Sequence, residues 1–367
     1  YAGIPGISRP YTNGWVGYGI PWAFSDQANA GVRIGVLNNR LNVALDVYNR
    51  DDKQMLLPVP VPSEWGYTGA YKTGLQVNNR GVDFSASANL IPATDKGFNW
   101  VFTANLNYNK NKVTALPDDL GELIIGNNKL VVGKPVDAFW VLTNNGIYNT
   151  NAEVPVSPQS GQPLSFQGVA LKAGDPIWED KNGDFVINNN DRELKGNYLP
   201  KVTGGFGSSV GYRRFTVDFQ FYYALGRKVL NQYAASRLDF INTEVNNDIN
   251  SVKEITFWEK KMDLSAYPVY NPWSAVVPYR VEQDLFLDDA SFLKLRTLSL
   301  SYDLSNAFKK NGAAVFQKSS VYITGTNLFT ITNFKGDDPE LANYRGIYGG
   351  YGLPIPRSVI IGFKIDL

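Results

Sequence analysis

Apolar and polar residues alternate along several long segments of the chain. In "GVDFSASANL", Val82, Phe84, Ala86, Ala88 and Leu90 share one face, and Asp83, Ser85, Ser87 and Asn89 the other. "FNWVFTANLNYN" sets Phe98, Trp100, Phe102, Ala104, Leu106 and Tyr108 against Asn99, Thr103, Asn105, Asn107 and Asn109. "FTVDFQFYY" and "LNVALDVYN" repeat the pattern from Phe215 and from Leu41. A period of two residues is the mark of strands with one apolar face. "SVIIGFKIDL" ends the sequence the same way, with Val359, Ile361, Phe363, Ile365 and Leu367 on one side.

A soluble sandwich buries such a face against a second sheet, whereas a membrane barrel turns it to lipid. Length favours the barrel. The alternation from Phe98 lasts twelve residues, where tilted membrane strands need about 9–11 and sandwich strands about 5–6. Bulky aromatics near strand ends, such as Phe98, Trp100, Tyr108 and Tyr223, suit interfacial girdles.

Connections alternate between tight ("NNR" at 38–40, "ATDKG" at 93–97, the 212–214 corner) and long (57–73, 115–133, 231–290, 333–356). That asymmetry is expected of periplasmic turns and extracellular loops. Direction counting requires no crossing or two crossings between the strands at 98–114 and 201–213. Two, near 134–149 and 164–179, are expected, for eleven strands in all. Residues 1–24 read as an extracellular loop and 25–367 as strands and loops. An odd count is that of a C-terminal part of a larger barrel, with further strands expected upstream of Tyr1.

Composition narrows the chemistry. With 35 basic and 34 acidic residues, the chain lacks the basic bias of a nucleic-acid binder. It has no Cys and no His, so thiol nucleophiles, thiolate sites and imidazole bases are excluded. A metal would have to be hard and oxygen-bound, and an enzyme is the reading least supported. There are 21 Tyr, 20 Phe, 8 Trp and 34 Gly, a balance of strand and turn formers. No apolar run is long enough for a transmembrane helix.

One motif has metal-like spacing. In "DKNGDFVINNND", Asp180, Asn182, Asp184, the Val186 carbonyl, Asn188 and Asp191 fall at calcium-loop positions. Phe185 replaces the usual Gly, and Asp191 the usual Glu. The other reading is a solvated cluster of Asn/Asp turns. "LLPVPVPSEWGYTGAYK", with Trp65, Tyr67 and Tyr71, and 255–279 read as aromatic platforms or as loops packed on their own side chains. Asp288–Asp289 and Asp337–Asp338 read as solvated loop charges.

Several blocks resemble the SusC/RagA family of TonB-linked outer-membrane transporters. They are "LNVALDVYNRDDKQMLLPVPVP", "NNRGVDFSASANL", "FNWVFTANLNYNKNKVTAL", "GDPIWEDKNGD" with its continuation to "GRKVLNQ", "LDDASFLKLRTLSLSYDL" and "VYITGTNLFTITNFKGDDPE". The resemblance implies a barrel of about 22 strands in outer-membrane lipid, whose plug domain and first strands lie upstream. It further implies import of oligosaccharides or peptides, a SusD-like lipoprotein lid, TonB acting through the upstream part, and insertion by the barrel-assembly machinery. On that basis Trp258, Trp273, Tyr344, Tyr348 and Tyr351 are candidates for lid or substrate contact, and the terminal stripe for an assembly signal. Family members commonly carry Phe at the last position, here Leu367, and Gly at the place of Phe185. No cofactor is required, calcium being the one candidate. A passive porin and a soluble carbohydrate-binding sandwich are the alternatives.

Overall fold

A computed structural model of the chain describes residues 15–16, 20–62, 69–92, 97–246, 267–268, 270–271, 274–305, 309–310, 313–314 and 318–366. Nine long strands build one antiparallel sheet: β1 (Phe24–Val36), β2 (Leu41–Val59), β3 (Ala70–Ile91), β4 (Phe98–Ala115), β5 (Val202–Tyr212), β6 (Phe215–Leu225), β7 (Phe292–Asp303), β8 (Lys318–Thr332) and β9 (Ser358–Asp366). They pair in sequence order from β1 to β9. Among the described residues no helix is long and apolar enough to cross a membrane.

Among the described residues the expectation of eleven crossing strands is corrected to nine long ones. β4 pairs directly with β5, Tyr108 opposite Val202 and Phe98 opposite Tyr212, so no strand crosses between them. The segments near 134–149 and 164–179 form short strands instead. Phe139–Val141 pairs with Glu193–Lys195, and Asn144–Ile147 with Pro176–Trp178. Their apolar residues do not alternate with exposed polar ones: Trp140, Val141 and Leu142 are consecutive and all buried. Such a run is what packing on both faces requires.

The chain divides into two units. The first comprises 1–30, 46–81 and 109–138. Here parts of β1 to β4 are joined by a hairpin of Glu122–Ile125 and Asn128–Val131. Leu57, Val59, Val113, Leu116 and Leu123 form its core. Asn111 ties the connection down, donating to Asp137 and accepting from the Val136 amide, 2.8 Å each. Lys53–Asp26 and Arg50–Asp52 are exposed ion pairs of the kind that contribute little individually.

The second unit comprises 31–45, 82–108 and 139–367. Its strand register lines up rows of like residues. Trp100, Val210, Val217, Leu300, Ile323 and Ile361 stand opposite one another from β4 to β9. On the other face the rows are polar: Thr103, Gly207, Gln220, Thr297, Thr326 and Ser358 form one of them. The apolar face is open, Ile361 being 74% and Val359 65% exposed. That is the inverse of a soluble core and the pattern of a wall solvated by lipid. From the row of Phe98 to that of Tyr108 it covers about 33 Å of strand, or about 25 Å of membrane at a tilt of about 40°.

Local devices keep these faces apart. Arg296 is an extra residue on β7 opposite Gln220 and Phe221, and Asn327 takes φ +51° on the facing part of β8. This bulge keeps Leu295 and Leu298 on one side across the irregularity. Gly204 is required by contact: a Cβ there would come 2.2 Å from the Asn105 carbonyl oxygen. Its absence lets Tyr223 lie across β5 and donate its hydroxyl to that carbonyl at 3.1 Å.

Candidate functional site

Within the second unit, antiparallel order sends the turns at 37–40 and 213–214 to one end of the sheet. The segments 139–201, 226–291 and 333–357 leave from the opposite end. The described parts of these segments are folded. Trp178 centres one core with Leu142, Tyr148, Leu164, Ile187 and Val276. A second gathers Phe139, Val141, Leu230, Tyr267, Tyr270, Tyr279 and Phe286. Lys228–Asn231 pairs with Leu287–Asp289 on one side and Ile347–Tyr348 on the other, joining three distant stretches. Long loops need such internal packing to hold a surface in one conformation.

Two polar knots fix this assembly. Gln283 is fully buried and donates to the Pro278 carbonyl at 2.8 Å. Its carbonyl oxygen accepts from Asn144 at 2.7 Å and Trp178 at 3.0 Å. The second knot joins the 333–357 segment to the wall. Lys294, on the polar face of β7 and 1% exposed, contacts Asp338 at 2.7 Å and also Glu340, which is shared with Arg296. Arg227 donates to the carbonyls of Tyr198 and Pro339, and burial lowers its affinity for the proton.

Each carboxylate pair is divided: Asp288 is buried and Asp338 partly buried, while Asp289 and Asp337 are exposed, as expected of loop charges. Asp338 caps the turn at Pro339–Leu341 by accepting from the Glu340 amide at 2.9 Å. Asp337 exchanges hydrogen bonds with Tyr348, whose hydroxyl is pushed up to about 12, burial being the main cause. Asp288 is buried and accepts from Asn231 at 2.8 Å, and desolvation raises its pKa. Burial also raises the phenols of Tyr267 and Tyr270.

The contact candidates separate. Tyr344 is 80% and Tyr351 91% exposed, beside exposed Leu353. The Arg345 guanidinium lies 5.4 Å from the Tyr344 ring centre. Tyr348 is corrected: it is 1% exposed and packs edge-on against Phe334 and Tyr233. It supports the segment and cannot touch a partner as placed. Trp258 and Trp273 lie outside the described residues, as do Trp65, Tyr67 and Leu367. Of the terminal stripe, Val359, Ile361, Phe363 and Ile365 all point out of the apolar face.

The Asp180–Asp191 loop is held by its own amides. Asp180 accepts from the amides of Gly183 and Phe185, and Asp184 from that of Val186. The Val186 carbonyl accepts from Asn188, whose own oxygen caps Asn190. Asp191 is fully buried, one oxygen on the Lys181 amide and the other on that of Asn188. Among the described residues no three carboxylates gather into a metal-holding group, and the loop's shape is set by these amide contacts. Phe185 does occupy a glycine-like conformation, φ +63°.

Sequence reasoning missed Lys294, Arg296, Glu340 and Gln283. A lysine on the polar face of "FLKLRTLSL", with the acidic "GDDPEL" downstream, is the trace of the first three. Gln283 leaves none.

No protein-family model matches the chain. It is 28% identical over 381 residues to the TonB-dependent receptor P39 of Formosa agariphila, covering 95% of this chain and 36% of that protein. It is 27% identical over 362 residues to the TonB-dependent receptor SusC of Bacteroides thetaiotaomicron, covering 95% and 32%. The chain thus spans about a third of the length of these relatives. In fold it matches the RagAB peptide transporter with a TM-score of 0.67 at 22% identity, over 93% of this chain and 35% of that one. Sequence relatives, long alternating strands and an open apolar face agree: the chain is similar to SusC- and RagA-type TonB-dependent receptors, and its sheet has the fold of an outer-membrane barrel wall.

Proposed function

We propose that the chain forms wall and outer rim of a TonB-dependent importer of oligosaccharides or peptides, working with a SusD-like lipoprotein lid. The observation that carries this reading is the pairing of a lipid-type wall with long, cored segments at one end. In this reading TonB acts through a part of the protein outside this chain, the barrel-assembly machinery inserts it, and no residue has a catalytic role. Tyr344, Arg345, Tyr351 and Leu353 supply ring faces, a cation and an apolar tip, which suit a protein lid or an aromatic-stacked cargo.

The test is uptake of fluorescent oligosaccharides and peptides by cells carrying the full-length protein, with and without TonB and the neighbouring lipoprotein. Uptake that needs both supports the proposal. TonB-independent uptake of small solutes without size or class preference would establish a passive pore instead.

A further inference from the structure

The two-residue hairpin between β5 and β6 is Arg213–Arg214. Arg213 has φ +56°, a left-handed conformation that Gly or Asn adopts at less cost. Its amide donates to the Gly97 carbonyl, which fixes the turn against the neighbouring connection. Both side chains are exposed, and neither guanidinium is ion-paired among the described residues. Directly beside the turn lies an aromatic row on the apolar face: Phe98, Tyr212, Phe215 and Tyr302, followed by Val321 and Phe363. Tyr212 packs against Phe98 with centres 6.4 Å apart, and Phe215 against Tyr302 at 4.8 Å. Each arginine is aligned by this row. The Arg213 guanidinium lies 5.3 Å from the Tyr212 ring centre, and Arg214 reaches the Tyr302 hydroxyl at 3.5 Å.

We infer that the Arg213–Arg214 hairpin binds the phosphate of an anionic phospholipid headgroup in the leaflet that faces the turns. Rings of this kind mark headgroup depth. A guanidinium just beyond them meets phosphate oxygens, to which it can donate two parallel hydrogen bonds. The strained backbone at Arg213 is consistent with retention of a charge where a turn alone favours glycine. The inference rests on the membrane reading of the apolar face but not on import, cargo or lid.

The test places the full-length protein in nanodiscs of phosphatidylcholine with or without phosphatidylglycerol. Retained phosphatidylglycerol is counted by native mass spectrometry, and unfolding is followed by loss of heat-modifiable gel mobility. Wild type is expected to retain phosphatidylglycerol and to melt higher in its presence. R213Q/R214Q is expected to bind it about 30-fold more weakly, the factor expected of two basic side chains at a charged surface. R213G/R214N, with residues suited to the turn, is expected to melt no lower than wild type in phosphatidylcholine while losing the same selectivity. Retention by both variants at the wild-type level would overturn the inference. So would an equal stabilisation of wild type by inorganic phosphate, since that makes the site a free-anion site. Failure to enter any nanodisc would remove the membrane reading and this inference together, whereas insertion without lipid selectivity would remove this inference alone.

Discussion

Lys294 Nζ and the Asp338 carboxylate meet at 2.7 Å on the polar face of the sheet, the lysine almost wholly buried and the aspartate nearly so. With Glu340 and Arg296 completing the cluster, this contact fastens the 333–357 segment to β7. Removing one member of a buried ion pair strands the others without solvent and costs about 3–5 kcal/mol. Lys294→Met is therefore expected to free the segment while the sheet stays intact. Limited proteolysis should cut within 334–348 in the variant and not in wild type; an unchanged digest would show that the aromatic contacts of Tyr348 suffice without the ion pairs.

The two faces of β7 should respond oppositely to charge. Leu298 lies midway along the apolar rows and Ser299 on the polar face. An arginine facing lipid near mid-membrane costs about 2–4 kcal/mol, and one facing the lumen far less. Leu298→Arg is expected to lower the urea midpoint of the folded, heat-modifiable form well below that of Ser299→Arg. Equal midpoints would contradict the assignment of faces.

Buried Asp288 predicts a pH dependence. Desolvation raises its folded-state pKa, so the group binds a proton more tightly folded than unfolded. Its contribution is fully present below the unfolded carboxyl range, about pH 3.9, and is lost as pH rises through the raised folded value. Asp288→Asn, which can still pair with Asn231, is expected to match wild type near pH 4 and to melt higher at pH 7. A melting profile parallel to wild type across that window would show that the carboxylate is adequately compensated by its neighbours.

The Asp180–Asp191 loop has its oxygens engaged by backbone amides. Millimolar calcium is expected to leave both the melting temperature and the proteolytic protection of this loop unchanged. A calcium-dependent rise in either would mean that the loop rearranges to expose those oxygens.

Phe363 ends the aromatic row that starts at Phe98. Replacing Phe363 and Leu367 together with Asp puts charge into the terminal apolar stripe, and membrane-inserted protein is expected to fall sharply. Normal levels in outer-membrane fractions would show that assembly does not read this stripe.

The wall was legible in the sequence because its rule is local. Alternation at period two names the faces of β4, β6 and β9 with no knowledge of their partners, since a pleated strand sends successive side chains to opposite sides. The missing Cys and His removed whole classes of chemistry before any fold was known. The alternation of tight and long connections put the 38–40 and 212–214 turns at one end of the sheet, where the structure has them, but it could not say what the long ones do. The crossings expected near 134–149 and 164–179 failed because short apolar runs such as Phe139–Leu142 read alike whether they span a membrane or pack in a core.

What the sequence by itself determined, then, is which residues meet lipid and which do not, because that follows from spacing along one strand. The tertiary structure alone decided that β4 pairs with β5, that Tyr348 is interior while Tyr344 and Tyr351 are exposed, and that Lys294 meets Asp338 and Glu340. Each of these depends on contacts between residues dozens of positions apart. Burial and charge pairing are properties of such contacts, and no local period encodes them.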